Sequence, residues 1–199
     1  MATVKNMFWF ALGMLAAVPL AASAAPKSAE DMPSFCASAP DATCQPKVDG
    51  YERGTVRGYD VRIFSDSATV ASVPGGDVMT YNKENWDIGC SRDKMTSNVL
   101  CLLYRGQLYL SIDKDNFSFI SVGSDHFPGT TTSIKVGSKR FDTRDGRGDF
   151  PQRKQLLALM KDGTPIVTRH STWPSGLNVD EEFTLHGMQA AMDVAKWGT

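Results

Sequence analysis

From Gly50 onward, apolar and polar residues alternate in short runs that are broken by Gly, Asp, Asn or Pro. Alternation with period two predicts β-strands, and the breakers predict tight turns between them. The runs fall at 55–65, 78–81, 86–90, 99–104, 108–112, 117–122, 130–136, 139–143, 166–173 and 179–185. Successive side chains of a strand point to opposite faces. Trp86, Ile88 and Cys90 therefore share one face, and Val99, Cys101 and Leu103 share a face of the next strand. Leu100, Leu102 and Tyr104 are apolar as well, so that strand is expected to be buried on both sides. Gly137-Ser138 suits a hairpin turn.

Two segments carry a helical period instead. Pro151 suits a first helical turn, with Asp149 before it as a candidate cap. Leu156, Leu157 and Met160 then form an apolar stripe, and Gly163 is a stop. Near the end, Met188, Ala191, Met192 and Ala195 recur at helical spacing over 188–197. The expected fold is mainly β: an antiparallel β-sandwich or partly closed barrel, with two short helices near the C-terminus.

The first residues have a different pattern. Lys5 is followed by an uncharged run from Met7 to Ala22, and the run closes on the small residues Ala22-Ser23-Ala24. A basic start, an apolar middle and a small-residue end are the marks of a cleavable secretory signal. The run holds Pro19 and is shorter than the roughly 20 residues that a membrane-spanning helix needs. The expected organisation is a signal peptide over 1–24, an irregular leader over 25–49 and a single β-rich domain over 50–199. A soluble mature chain with no stable membrane insertion follows from it.

Composition narrows the partners. Removing the signal leaves 20 basic residues against 22 acidic ones, a net charge of −2. That balance argues against nucleic acid, which selects a clustered basic excess. The four cysteines, Cys36, Cys44, Cys90 and Cys101, are an even count in an exported chain and read as two disulfides. Four cysteines allow three pairings. Closeness in sequence favours Cys36–Cys44 and Cys90–Cys101. A metal site is the weaker reading, because there is no Cys-x-x-Cys and no histidine near either pair.

Several features, taken in order, resemble the invasion-associated locus B family of exported Gram-negative proteins. They are Trp86-Asp-Ile-Gly-Cys90, then Cys101 opening an apolar strand, then Pro128-Gly129 before Ser133-Ile-Lys-Val136. The closing run Phe183-Thr-Leu-His-Gly187-Met-Gln-Ala-Ala191 completes them. The resemblance covers residues of about 83–196. It implies a periplasmic or secreted, β-rich, disulfide-bonded protein linked to host-cell invasion, with no catalytic residues to carry over.

The candidate chemistry is sparse. His126, His170 and His186 could serve a hydrolase, but there is no Gly-x-Ser-x-Gly elbow. Nothing marks a glycosidase pair of carboxylates. Asp142, Asp145 and Asp149 lie on a Gly-bearing turn as a hard cation would require, yet Arg144 and Arg147 sit among them. Arg147-Gly148-Asp149 is an adhesion-type tripeptide that also arises by chance. Aromatic residues on the strands fit a core, whereas Trp173-Pro174 lies at a strand end and fits an exposed contact. No catalytic residue, metal or cofactor is assigned. The candidate binding residues are His126, Arg147, Asp149 and Trp173. The expected function is non-enzymatic binding of a protein or envelope component. The alternatives are a hydrolase acting on envelope or host polymers through His126 or His170, or an inhibitor of such an enzyme that presents the His126 loop.

Overall fold

The computed structural model describes residues 43–48, 50–64, 66–79, 82–113, 116–143 and 148–198. The signal segment, Cys36 and Arg147 lie outside them. Among the described residues, twelve strands form two antiparallel sheets. The larger runs β1 to β8 in chain order, and the smaller has the order β10-β9-β11-β12. Both orders are open, so the arrangement is a sandwich and not a closed barrel.

The large sheet is a meander of β1 (Thr43–Val48), β2 (Tyr51–Val56), β3 (Tyr59–Ile63), β4 (Ser67–Val70), β5 (Trp86–Arg92), β6 (Val99–Arg105), β7 (Leu108–Asp113) and β8 (Asn116–Val122). The small sheet holds β9 (Thr132–Val136), β10 (Lys139–Thr143), β11 (Pro165–Ser171) and β12 (Asn178–Thr184). Helix α1 spans Arg153–Leu159 and α2 spans Met188–Gly198. Helix α2 packs against β4, β5, β6 and β7. Buried residues of both sheets and both helices form one core around Trp86, Leu103, Ile120, Ile134, Ile166 and Ala191.

The strand pattern needs four corrections. The run 55–65 is a hairpin, β2 and β3, because Gly58 adopts φ 81° and turns the chain after Arg57. Residues 78 and 79 are not a strand. Val78 is buried from within a connecting loop. β4 is a strand outside the predicted runs, since Ser67-Ala-Thr-Val70 is four residues long and weakly apolar. The segment expected to be an irregular leader holds β1, which carries Pro46 at a sheet edge. Its register with β2 shifts between Gln45 and Val48, as a residue without an N–H is tolerated at an edge or bulge.

β5 and β6 pair with Cys90 opposite Cys101, and the two are bonded as the alternation predicts. β6 is buried on one face only. Cys101 and Leu103 are inside, while Leu100 and Tyr104 are exposed. Tyr104 stacks on Tyr109 of the neighbouring strand at 6.1 Å. Asp149 does not cap α1. Its cap position is Gln152, which makes no side-chain capping bond. Asp149 instead forms an antiparallel bridge with Ser121.

Two buried donors join distant parts of the chain. The Trp86 indole Nε1 donates to the His186 carbonyl at 2.9 Å. Arg105 ends β6 with its side chain inside, only 7 % exposed. Its Nη1 donates to the carbonyls of Thr184 at 2.7 Å and His186 at 3.3 Å, and its guanidinium lies over the Phe183 ring. Burial lowers the pKa of Arg105, and the Glu84 carboxylate opposes that shift.

Candidate functional site

The β8–β9 loop and the β11–β12 connection meet at one end of the small sheet. His126 forms a bridge with Thr172. The Phe127 N–H donates to Ser171 O at 2.8 Å, and the Trp173 N–H to Asp125 O at 2.8 Å. The Thr130 hydroxyl closes the first loop on Phe127 O at 2.6 Å. The second closes through Gly176 N–H to Thr172 O at 2.7 Å. These bonds place the Phe127 and Trp173 rings 5.5 Å apart. Trp173 is 59 % exposed and Leu177, in the same turn, 68 %. Isolated apolar residues on a surface are ordinary, but an adjacent aromatic pair held by main-chain bonds is a preformed contact surface.

Behind this shelf stand two of the three histidines. The His126 and His170 rings are 5.3 Å apart, edge to face. His126 Nδ1 lies 3.2 Å from the Thr132 hydroxyl. His126 Nε2 is buried with no hydrogen-bond partner among the described residues. His170, 4 % exposed, pairs through Nδ1 with Gln107 Oε1 at 2.7 Å. The amide oxygen can only accept, so Nδ1 carries the proton. The Gln107 N–H in turn donates to Glu181 Oε2 at 2.6 Å. Two glycines make room for the rings. A Cβ at Gly123 would lie 2.5 Å from His170 Cδ2, and one at Gly148 2.6 Å from His126 Cε1. Burial lowers the pKa of His170, and the neighbouring His126 adds to the effect. Glu181 and Asp125 act in the opposite direction.

Three of the four candidate binding residues thus converge. His126 and Trp173 are linked through their loops. Asp149 follows Gly148, which covers the His126 ring. The fourth, Arg147, lies outside the described residues. Asp142 is on the β9–β10 hairpin, where Ser133 donates to it at 2.5 Å and Arg140 at 2.8 Å. Asp145, the third acid of the Gly-bearing turn, lies outside the described residues. Among the described residues, no three His, Cys, Asp or Glu side chains gather as metal ligands. The third histidine, His186, lies elsewhere, with Nδ1 3.6 Å from Asp162.

The residues that sequence reasoning missed are Gln107 and Glu181. Gln107 lies between the predicted runs 99–104 and 108–112, and Glu181 within the run 179–185, and neither carries a local signal. Each acquires its role only from a partner more than 60 positions away. Phe127 has no sequence signal, because a single aromatic in a polar loop carries no pattern. No protein-family model matches this chain, and no curated protein or solved structure matches it significantly.

Proposed function

We propose that this is an exported, non-enzymatic protein of the periplasm or cell exterior, and that it binds a protein or envelope partner through the Phe127–Trp173–Leu177 shelf. The observation that carries the reading is the convergence of the His126 and Trp173 loops. Main-chain bonds hold the two aromatic rings against each other while Trp173 and Leu177 face outward. Preformed aromatic surface is well suited to docking, because little conformational freedom is lost on contact. The signal-like first 24 residues, the Cys90–Cys101 bond and the motif order shared with the invasion-associated locus B family support export from a Gram-negative cell. N-terminal sequencing of the exported protein is expected to begin at Ala25, and retention of Met1 would refute export by this signal.

The decisive experiment is affinity capture from envelope extract with the tagged mature protein, run beside Trp173→Ala and a remote control, Arg140→Ala. A stoichiometric partner is expected with the wild type and the control, and its loss with Trp173→Ala. Capture indifferent to Trp173 would overturn the reading. The paired histidines keep a second reading open, a hydrolase using His126 or His170. Turnover of an envelope polymer that is abolished by His126→Gln or His170→Gln, with the fold intact, would favour it.

A further inference from the structure

The second feature concerns the far end of β12 and does not depend on the aromatic shelf. Among the described residues, β12 is an outer strand of the small sheet. The hydrogen bond from Leu185 N–H to Thr164 O, 2.9 Å, fixes which of its backbone groups point outward. Thr184 stands opposite Pro165 in the register, so Leu185 and Thr164 form a hydrogen-bonded pair. In an antiparallel ladder such pairs alternate with non-bonded ones. Phe183, Glu181 and Val179 therefore bond β11, whereas the N–H and C=O groups of Thr184, Glu182 and Asp180 face away from it. Pro165 agrees, since its carbonyl accepts from Gly137 on the β9 side at 3.0 Å. The outward carbonyl of Thr184 is the one that Arg105 takes.

A cleft of about 440 Å³ lies beside this strand, lined by Glu181, Glu182, Phe183 and Thr184 together with Glu84 and Arg105. Four consecutive strand residues alternate between faces, so a cleft that touches all four runs along the strand edge. Its size suits a small ligand or a short segment of chain. An open edge with a groove beside it offers main-chain hydrogen bonds and side-chain pockets at once, which is how extended peptides are recognised by strand addition. Three carboxylates, Glu84, Glu181 and Glu182, face two cations, Lys83 and Arg105. Arg105 keeps its charge when it donates to neutral carbonyls, so the two cations leave one carboxylate in excess and a guest meets a weakly acidic field. Asp180 is ion-paired with Arg169, but pairing of two copies of β12 about Glu182 would set the two Glu182 carboxylates against each other, and like charges across a strand pair repel.

We infer that the β12 edge binds an extended, Lys- or Arg-bearing peptide segment of a partner protein as an added strand, through the outward groups of Asp180 and Glu182 and the outward N–H of Thr184. The test uses the purified protein and two labelled heptapeptides, Lys-Val-Lys-Val-Lys-Val-Lys and its Glu-for-Lys counterpart, with fluorescence anisotropy as the readout. The Lys peptide is expected to bind at least tenfold tighter than the Glu peptide. Glu182→Pro removes an outward N–H that the β11 ladder does not use, and it should weaken binding at least tenfold with the circular dichroism unchanged. Glu182→Lys keeps the backbone donor and reverses the charge. It should weaken the Lys peptide and strengthen the Glu peptide, and it serves as the arbiter if the proline variant misfolds. Equal binding of the two peptides, no binding by the folded wild type, or full affinity in both variants would overturn the proposal. So would peptide binding that is lost in Trp173→Ala, which would move the site to the shelf. A concentration-dependent dimer abolished by Glu182→Pro would assign the edge to a second copy instead and equally overturn it.

Discussion

The surroundings of His170 favour its neutral form, and this has a consequence for stability. The ring is buried, its Nδ1 is bonded to Gln107, and His126 lies edge-on against it. A proton added to His170 would have to be carried without water and beside a second imidazole. Its pKa is accordingly below the ordinary value of about 6.5. The groups facing it are His126 from the β8–β9 loop, Asp125 from the same loop and Glu181 from β12. The two carboxylates offset the burial but do not overcome it. With a lowered folded-state pKa, the native protein binds fewer protons than the unfolded chain just below pH 6.5. The stability that depends on a neutral His170 is therefore present above about pH 6.5 and lost as pH falls through the folded-state value. Urea midpoints at pH 7.5 and pH 5 should show the wild type losing its advantage over His170→Gln as the pH falls. An advantage that grows on acidification would mean that His170 is charged in the fold. Neither the burial nor the His126 contact was legible in the sequence, because Arg169-His170-Ser171 gives no sign of which face of β11 is covered.

At the scale of elements, the β5–β6 hairpin is the best-specified part of the chain. Its alternation sets Cys90 opposite Cys101 with Cα atoms 4.1 Å apart, and α2 closes over the bond, its Gly198 approaching both sulfurs. The bridge spans 11 residues, a short loop, so its removal should cost about 2–3 kcal/mol in the chain-entropy model. Cys90→Ala/Cys101→Ala, measured by urea unfolding under oxidising conditions, is expected to lose that amount and to match the reduced wild type at the hairpin. No change in midpoint would refute a stabilising role. The same hairpin shows what a sequence can carry. Where alternation, turn residues and length agree, as at 86–122 and 132–143, the strands are legible to within a residue or two. β1 and β4 were not. One holds Pro46, the other is four residues long, and both are strands because neighbouring strands recruit them. Asp149 pairs with a strand and does not cap the helix for a similar reason. Its bridge to Ser121 is a long-range pairing, which no local rule anticipates.

The two sheets behave physically as one body if their cores are one. Ile134 and Val136 of β9 and Ile166 of β11 belong to the same buried cluster as Leu103, Leu110 and Ile120 of the large sheet. Polar ties reinforce the join. Trp86 and Arg105 reach across to His186 and Thr184, and the Gln107 N–H reaches Glu181. Every one of these ties spans more than 70 positions, so the cohesion of the molecule is a property of the fold alone. A shared core and buried cross-ties make partial unfolding costly, since releasing the small sheet would strand the Arg105 guanidinium without its carbonyl acceptors. Unfolding is therefore expected to be a single cooperative transition, with far-ultraviolet and near-ultraviolet circular dichroism giving coincident curves in urea. Trp86→Phe removes the indole donor but leaves Arg105 on the His186 carbonyl. It should lower stability by about 1–3 kcal/mol and preserve the single transition. Two separated transitions in the wild type would mean that the sheets are held by contact rather than by a common core, and the Trp86→Phe curve would then shift only one of them.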